Sequence, residues 1–152
     1  MGKLTLPRSG LVYLDTSPVI YSVEKIEPYH TLLQPMWQAA QTGDFILVSS
    51  ELLLLETLVK PIQDANVVLE QSFRNLLLTS HEMQLVRISL PILETATQLR
   101  ATTRIKTPDA IHVATALMSG CALFITNDKG SNITHRLFNV FLDIENGVMK
   151  GA

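Results

Sequence analysis

Three aspartates stand where alternating strands and helices would bring them together. Asp15 directly follows the apolar run Gly10-Leu-Val-Tyr-Leu14, Asp109 lies near the start of a later helix, and Asp128 comes just after Ala122-Leu-Phe-Ile-Thr126. Carboxylates crowded at one sheet edge are costly to bury, so the group requires protonation or a cation. Hard oxygen donors favour Mg²⁺ or Mn²⁺, which bind carboxylates and water octahedrally and leave positions for a substrate phosphate. Such a site can orient water for attack and stabilise charge on a leaving oxygen, so phosphodiester hydrolysis is its natural use.

Each acid also has a simpler explanation. Asp15 can cap the helix that follows it, Asp109 suits the second position of its helix, and Asp128 can open an Asn-Asp-Lys-Gly turn. Those explanations treat the residues one at a time. They leave unexplained why all three fall at the same edge.

The elements that must position them read as one α/β unit spanning residues 1–152. Strands are expected at 10–14, 45–48, 85–88, 122–126 and 140–142, each a short apolar run. Between the first two, Ser17 is expected to cap a helix with Pro18 in its first turn, and a second helix covers 30–41 up to Gly43. Residues 51–60 form a helix that Pro61 stops, and a longer one follows over 64–79. A helix entered through Pro91 ends near Arg104. In the next, Thr107 caps, Pro108 and Asp109 are the first two positions, and Gly120 closes the element. This alternation predicts a three-layer α/β/α fold with a mostly parallel sheet of four to five strands. Sites in such sheets form at the carboxyl ends of the strands, where Asp15 and Asp128 fall.

Composition narrows the classes. With 47% hydrophobic and 17% charged residues the chain should fold compactly. No apolar run approaches the roughly 20 residues that span a bilayer, and the N-terminus lacks the apolar stretch of a secretory signal, so a cytoplasmic protein is expected. The lone Cys121 opens an apolar run and reads as core. A net charge of −2 does not exclude nucleic acid, because divalent metal would neutralise clustered acids.

Four segments, LVYLDTSPVIY, SSELLLLETLVKP, KTPDAIHVATAL and LFITNDKG, together resemble a PIN domain over nearly the whole chain, and are most similar to the small VapC-type toxins of toxin–antitoxin pairs. The resemblance implies a metal-dependent endoribonuclease that leaves a 5′-phosphate and a 3′-hydroxyl, with Asp15, Glu56, Asp109 and Asp128 as catalytic and metal-holding acids. It also implies RNA as substrate, a possible antitoxin partner and a homodimer. Within the second segment, Glu51 sits in the first helical turn, where any acid is welcome, whereas Glu56 lies on an otherwise apolar flank. Glu56 is therefore the expected site residue.

Thr16, Ser17, Thr126 and Asn127 flank the acids and can hydrogen-bond carboxylates or water, although capping and turn formation explain them almost as well. His112, one turn after Asp109, is read as packing on a helix face and not as a ligand. Lys60, Arg100, Arg104, Lys106 and Lys129 are candidates for phosphate contacts, with ordinary solvated charge the simpler reading. Val67, Val68, Phe73, Leu76 and Leu77, with Tyr21, Tyr29 and Trp37, offer apolar surface for a homodimer or an antitoxin, or for ordinary core packing. Phosphoaspartyl enzymes are disfavoured because Ser17 stands where a haloacid-dehalogenase-type phosphatase has its second Asp, and a receiver domain wants an extra acidic pair. The remaining alternative is a catalytically silent PIN module that binds RNA or protein.

Overall fold

Strands without polar alternation are buried on both faces, and the central one shows this directly: β1 (Leu11–Leu14) has Val12, Tyr13 and Leu14 fully buried. The computed structural model describes residues 6–127 and the strands Val140–Asp143 and Val148–Gly151. After β1 come α1 (Thr16–Val23), α2 (Tyr29–Gln41), β2 (Ile46–Ser50), α3 (Leu52–Gln63) and α4 (Val67–Arg74), which widens into a π-helical turn at Asn75–Thr79. Then follow β3 (Met83–Val86), α5 (Leu90–Thr102), α6 (Thr107–Ser119), β4 (Leu123–Thr126), β5 (Val140–Asp143) and β6 (Val148–Gly151).

The sheet order is β3-β2-β1-β4-β5-β6, parallel throughout except where β6 pairs antiparallel with β5. The α/β architecture and mostly parallel sheet are as expected; β6 is an addition. Alternate residues of the central strands serve opposite layers. Val12, Leu47 and Leu123 pair across the sheet and pack beneath α1 to α4, against Leu33, Met36, Leu53 and Phe73. Tyr13, Val48 and Phe124, the next row, face Val113 and Ala116 of α6. Ala110 and Ala114 of α6 meet Ile92 and Ala96 of α5, small residues that let the two helices approach.

From β1 the chain steps outward to β2 and β3 with helices on one face, then crosses back to β4 with α5 and α6 on the other. A reversal of direction needs the opposite face if both crossovers keep the same hand. The reversal places the topological switch point between β1 and β4, where open α/β sheets bind ligands.

Several element ends differ from expectation. Asp15, not Ser17, caps α1: its side chain accepts from the Thr16 N–H. Pro61 lies inside α3 with its ring buried, and the helix closes beyond it as the Lys60, Pro61 and Ile62 carbonyls accept from Asp64, Asn66 and Ala65. The helix expected over 64–79 starts at Val67, where the Asn66 side chain accepts from the Leu69 N–H. β3 lies two residues earlier than expected, at Met83–Val86, and α5 ends at Thr102, before Arg104. Lys106 holds the cap position of α6, with Thr107 already helical. Gly120 closes that helix as expected, at φ 71°, a left-handed conformation suited to glycine.

Trp37 is buried and donates to the Ser22 hydroxyl, Tyr21 stacks on Tyr29 at 4.4 Å, and Phe73 and Leu77 are core; Val67 and Val68 are exposed. Cys121 packs at the edge of the α6 layer, where burial pushes its thiol up to about 12. Such a thiol stays protonated and unreactive. Among the described residues no helix is long and apolar enough to cross a membrane.

Candidate active site at the switch point

Asp15 is placed by backbone before its side chain acts. Its N–H donates to the Ile125 carbonyl of β4 at 3.0 Å, which holds it extended at the end of β1 and starts α1 at Thr16. The carboxylate is then fixed from both sides: Oδ1 accepts from the Thr16 N–H at 2.8 Å and Oδ2 from the Thr126 hydroxyl at 2.7 Å. Each oxygen keeps lone-pair capacity for a cation.

Glu56 reaches the same place from α3. Its Oε1 accepts from the Thr16 hydroxyl at 2.9 Å and lies 2.6 Å from His112 Nε2. Thr16 thus touches both acids, with its backbone on Asp15 and its hydroxyl on Glu56. Glu51, expected in the first turn of this helix, instead stands at the cap position just before it; it is exposed, and its carboxylate accepts from the Ile88 N–H at 3.2 Å beyond β3. Asp109 is half-buried in the first turn of α6, one turn before His112. Asp128 and Lys129 lie outside the described residues.

His112 is part of the cluster, which corrects the reading of it as a packing residue. It is 1% exposed, with Nδ1 2.6 Å from the Tyr13 hydroxyl, Nε2 on Glu56, and Asp15 Oδ1 3.8 Å away. Burial, with the Asp15 charge adding to it, pushes the Tyr13 phenol well above its ordinary 10.0, against the Ser49 and Thr115 hydroxyls. The phenol therefore stays neutral. In a neutral imidazole, a phenol donating to Nδ1 leaves the proton on Nε2, facing Glu56; in the imidazolium both nitrogens donate. Either form presents an Nε2–H to the carboxylate.

Burial alone would raise the Glu56 carboxyl, but the His112 hydrogen bond and charge, with the Thr16 hydroxyl, outweigh it and hold the group below its ordinary 4.5. Burial likewise opposes the charged form of His112. The Glu56 hydrogen bond and the charges of Asp15, Glu56 and Asp109 prevail and lift it above 6.5. A lowered carboxyl contributes stability present above its ordinary value and lost as pH falls through the folded one; a raised imidazole contributes stability present below its ordinary value and lost as pH rises through the folded one. In metal-depleted protein the pair should therefore contribute most between pH 4.5 and 6.5. Thermal melts of wild type and Glu56→Gln should differ most in that window. A gap that stays constant from about pH 4 to about pH 9 would show that the pair is not ionised.

The donors present are the hard oxygens that Mg²⁺ and Mn²⁺ take, and Mg²⁺ keeps several waters while binding one or two carboxylates. Asp15 and Glu56, bridged through Thr16, fit that use. Among the described residues, no group of three His, Cys, Asp or Glu side chains is arranged to hold a metal ion. Of the flanking polar residues, Thr16 and Thr126 bond the acids, whereas Asn127 donates to the Tyr21 hydroxyl at 2.8 Å. Lys60 pairs with Asp64 at 3.1 Å and Arg100 donates to the Ile105 carbonyl, whereas Arg104 and Lys106 are both exposed just before α6, Lys106 at its cap position.

Reasoning from the sequence missed His112 and Tyr13. Their signals were faint but present: Tyr13 lies two residues before Asp15, on the same side of an extended chain, and His112 lies three after Asp109, on the same side of a helix.

Residues 12–134 match the family described as PIN domain. A search of curated proteins finds no match. Among solved structures, VapC20 of Mycobacterium tuberculosis, described as a sarcin-ricin loop cleaving toxin, superposes with a TM-score of 0.65 at 13% identity, over 84% of this chain and 95% of that one. VapBC2 from Rickettsia felis, bound to a DNA fragment from its promoter, gives 0.60 at 15% identity, over 78% and 88%. A toxin–antitoxin complex from Klebsiella pneumoniae gives 0.54 at 22% identity, again over 78% and 88%. At these identities the likeness is one of fold.

Proposed function

This chain belongs to the PIN domain family, and from that premise we propose that it is a Mg²⁺- or Mn²⁺-dependent endoribonuclease, the toxin of a toxin–antitoxin pair. The observation that carries the reading is the placement of two carboxylates, Asp15 and Glu56, on either side of Thr16 at the switch point of the sheet. With Asp109 and Asp128 they would hold the metal. When bound, the ion neutralises charge on the scissile phosphate and activates water as the nucleophile.

The chain's own residues supply orientation. Thr16 and Thr126 fix the two oxygens of Asp15, a preorganised carboxylate that would hold a cation without having to reorient. Glu56 stays ionised because His112 and Thr16 donate to it. The added water forms a bond to phosphorus, the bond from phosphorus to the 3′ oxygen breaks, and that oxygen takes a proton. A 5′-phosphate and a 3′-hydroxyl result. Single-stranded or looped RNA suits such a site, because its bases and backbone can be splayed toward the metal.

The toxin reading draws on the three structural relatives, each from a toxin or toxin–antitoxin structure. An antitoxin would inhibit by filling the cleft and setting a basic side chain against the acids. Apolar side chains exposed on α3 and α4, among them Leu55, Val59, Ile62 and Val67, offer area for an antitoxin or for a homodimer.

The test is cleavage of a pool of structured and single-stranded RNAs by partner-free protein, with Mg²⁺, Mn²⁺ or chelator, and DNA oligonucleotides alongside. Cutting that needs the metal and stops with chelator is the expected result. Protein that cuts nothing with either metal would point instead to a silent module that binds RNA or protein.

A further inference from the structure

Glu56 ends a flexible side chain on a half-exposed helix face, and a carboxylate free to rotate there would sample many directions. Four elements converge to stop it. Thr16 of α1 and His112 of α6 both meet Oε1, the imidazole is met on its other side by Tyr13 of β1, and Glu56 itself comes from α3. Tyr13 is the rigid end of this chain of contacts: it is fully buried in the central strand and stacked on Phe124 at 5.0 Å. A histidine needed only to fill space would not have both ring nitrogens engaged at 2.6 Å by polar side chains 56 and 99 residues away.

We infer that His112, anchored by Tyr13, is a positioning residue that aims the Glu56 carboxylate at the metal. The inference rests on the metal-nuclease reading of the same site. His112 itself touches neither ion nor substrate; it sets the direction of a group that does. Partners of this kind commonly affect metal affinity by about ten- to a hundredfold.

The experiment measures Mn²⁺ binding to metal-depleted protein by calorimetry, with cleavage kinetics in parallel and circular dichroism to confirm folding. His112→Ala should weaken Mn²⁺ binding by about ten- to a hundredfold. His112→Gln, whose amide nitrogen can stand in for Nε2, should restore most of it. Tyr13→Phe removes only the anchoring hydroxyl and should weaken binding by about two- to tenfold. In kinetics the loss should appear in kcat at limiting metal and be relieved by excess Mn²⁺, with KM for RNA unchanged, a pattern that lost packing alone does not give.

Wild-type Mn²⁺ affinity in folded His112→Ala and Tyr13→Phe, alongside lost binding in Glu56→Gln, would overturn the positioning role and leave the nuclease reading intact. Should His112→Ala fail to fold, Tyr13→Phe and His112→Gln decide the matter alone. A wild type that binds no Mn²⁺ overturns both.

Discussion

Asp15→Asn should abolish metal-dependent RNA cleavage while leaving the protein folded and nearly as stable as wild type. The separation of the two effects follows from the two roles of the residue. As helix cap, Asp15 uses Oδ1 to accept from the Thr16 N–H, and Asn caps helices as well as Asp does. Toward Thr126 the new amide nitrogen becomes the donor and the hydroxyl turns to accept, so that contact survives as well. What disappears is one negative charge and one anionic oxygen donor. A metal ion supplies several kcal/mol of transition-state stabilisation, and a loss of about 4 kcal/mol is roughly a thousandfold in rate. The check is single-turnover cleavage beside thermal melting. Cleavage within tenfold of wild type would remove Asp15 from the metal site and leave only the cap. Asp15→Ala is the less useful variant, since it also forfeits the cap at about 1 kcal/mol.

That double role explains why the sequence could not separate capping from catalysis at this position. Ser17 and Asp15 are both good caps by residue type. The choice is made by a partner from more than a hundred residues later, the Ile125 carbonyl, which holds the Asp15 backbone extended. Where the determinants are local, the sequence was easy to read. The apolar runs of β1 and β4 have the length and hydrophobicity of strands buried on both faces, whereas β2 runs past the expected 45–48 through Ser49 and Ser50; Gly120 marks the end of α6. Glu56 could be preferred over Glu51 because helical spacing alone sets it among apolar neighbours.

His112 shows the opposite case. Within AIHVATAL its surroundings are apolar, and apart from its spacing of one turn from Asp109 nothing local distinguishes a packing histidine from one whose ring nitrogens are both engaged. The distinction lies in Tyr13 and Glu56, which the fold delivers from a strand and a helix far away in the chain. Pro61 misled for a related reason. A proline near a helix end removes one hydrogen bond, and burial of its ring, with closure of the last carbonyls by residues 64–66, lets α3 run on to Gln63.

The four consecutive leucines of α3 carry the second large effect, because their burial differs: Leu52 and Leu54 are partly buried against the core clusters, and of the four Leu53 alone is fully buried. Leu53 is fully buried in the cluster beneath α1 to α4, whereas Leu55 is 61% exposed. Leu53→Ala should therefore cost about 2–5 kcal/mol. For a chain of this size that is a fall of roughly 4–20 °C in Tm. Leu55→Ala should stay within about 0.5 kcal/mol of wild type. Glu56 and Thr57 follow Leu53 by three and four residues and so share its face of the helix, and Thr57 donates to the Leu53 carbonyl at 2.8 Å. The packing of Leu53 against the sheet therefore sets the height at which Glu56 meets Thr16 and His112. Leu53→Ala should lower cleavage even at temperatures where it remains folded, and should weaken Mn²⁺ binding in parallel. Chemical denaturation and cleavage assays on the two variants provide the check. Equal stabilities for Leu53→Ala and Leu55→Ala would mean that α3 seats on the sheet by a different face, and that the aim of Glu56 is set by its polar partners alone.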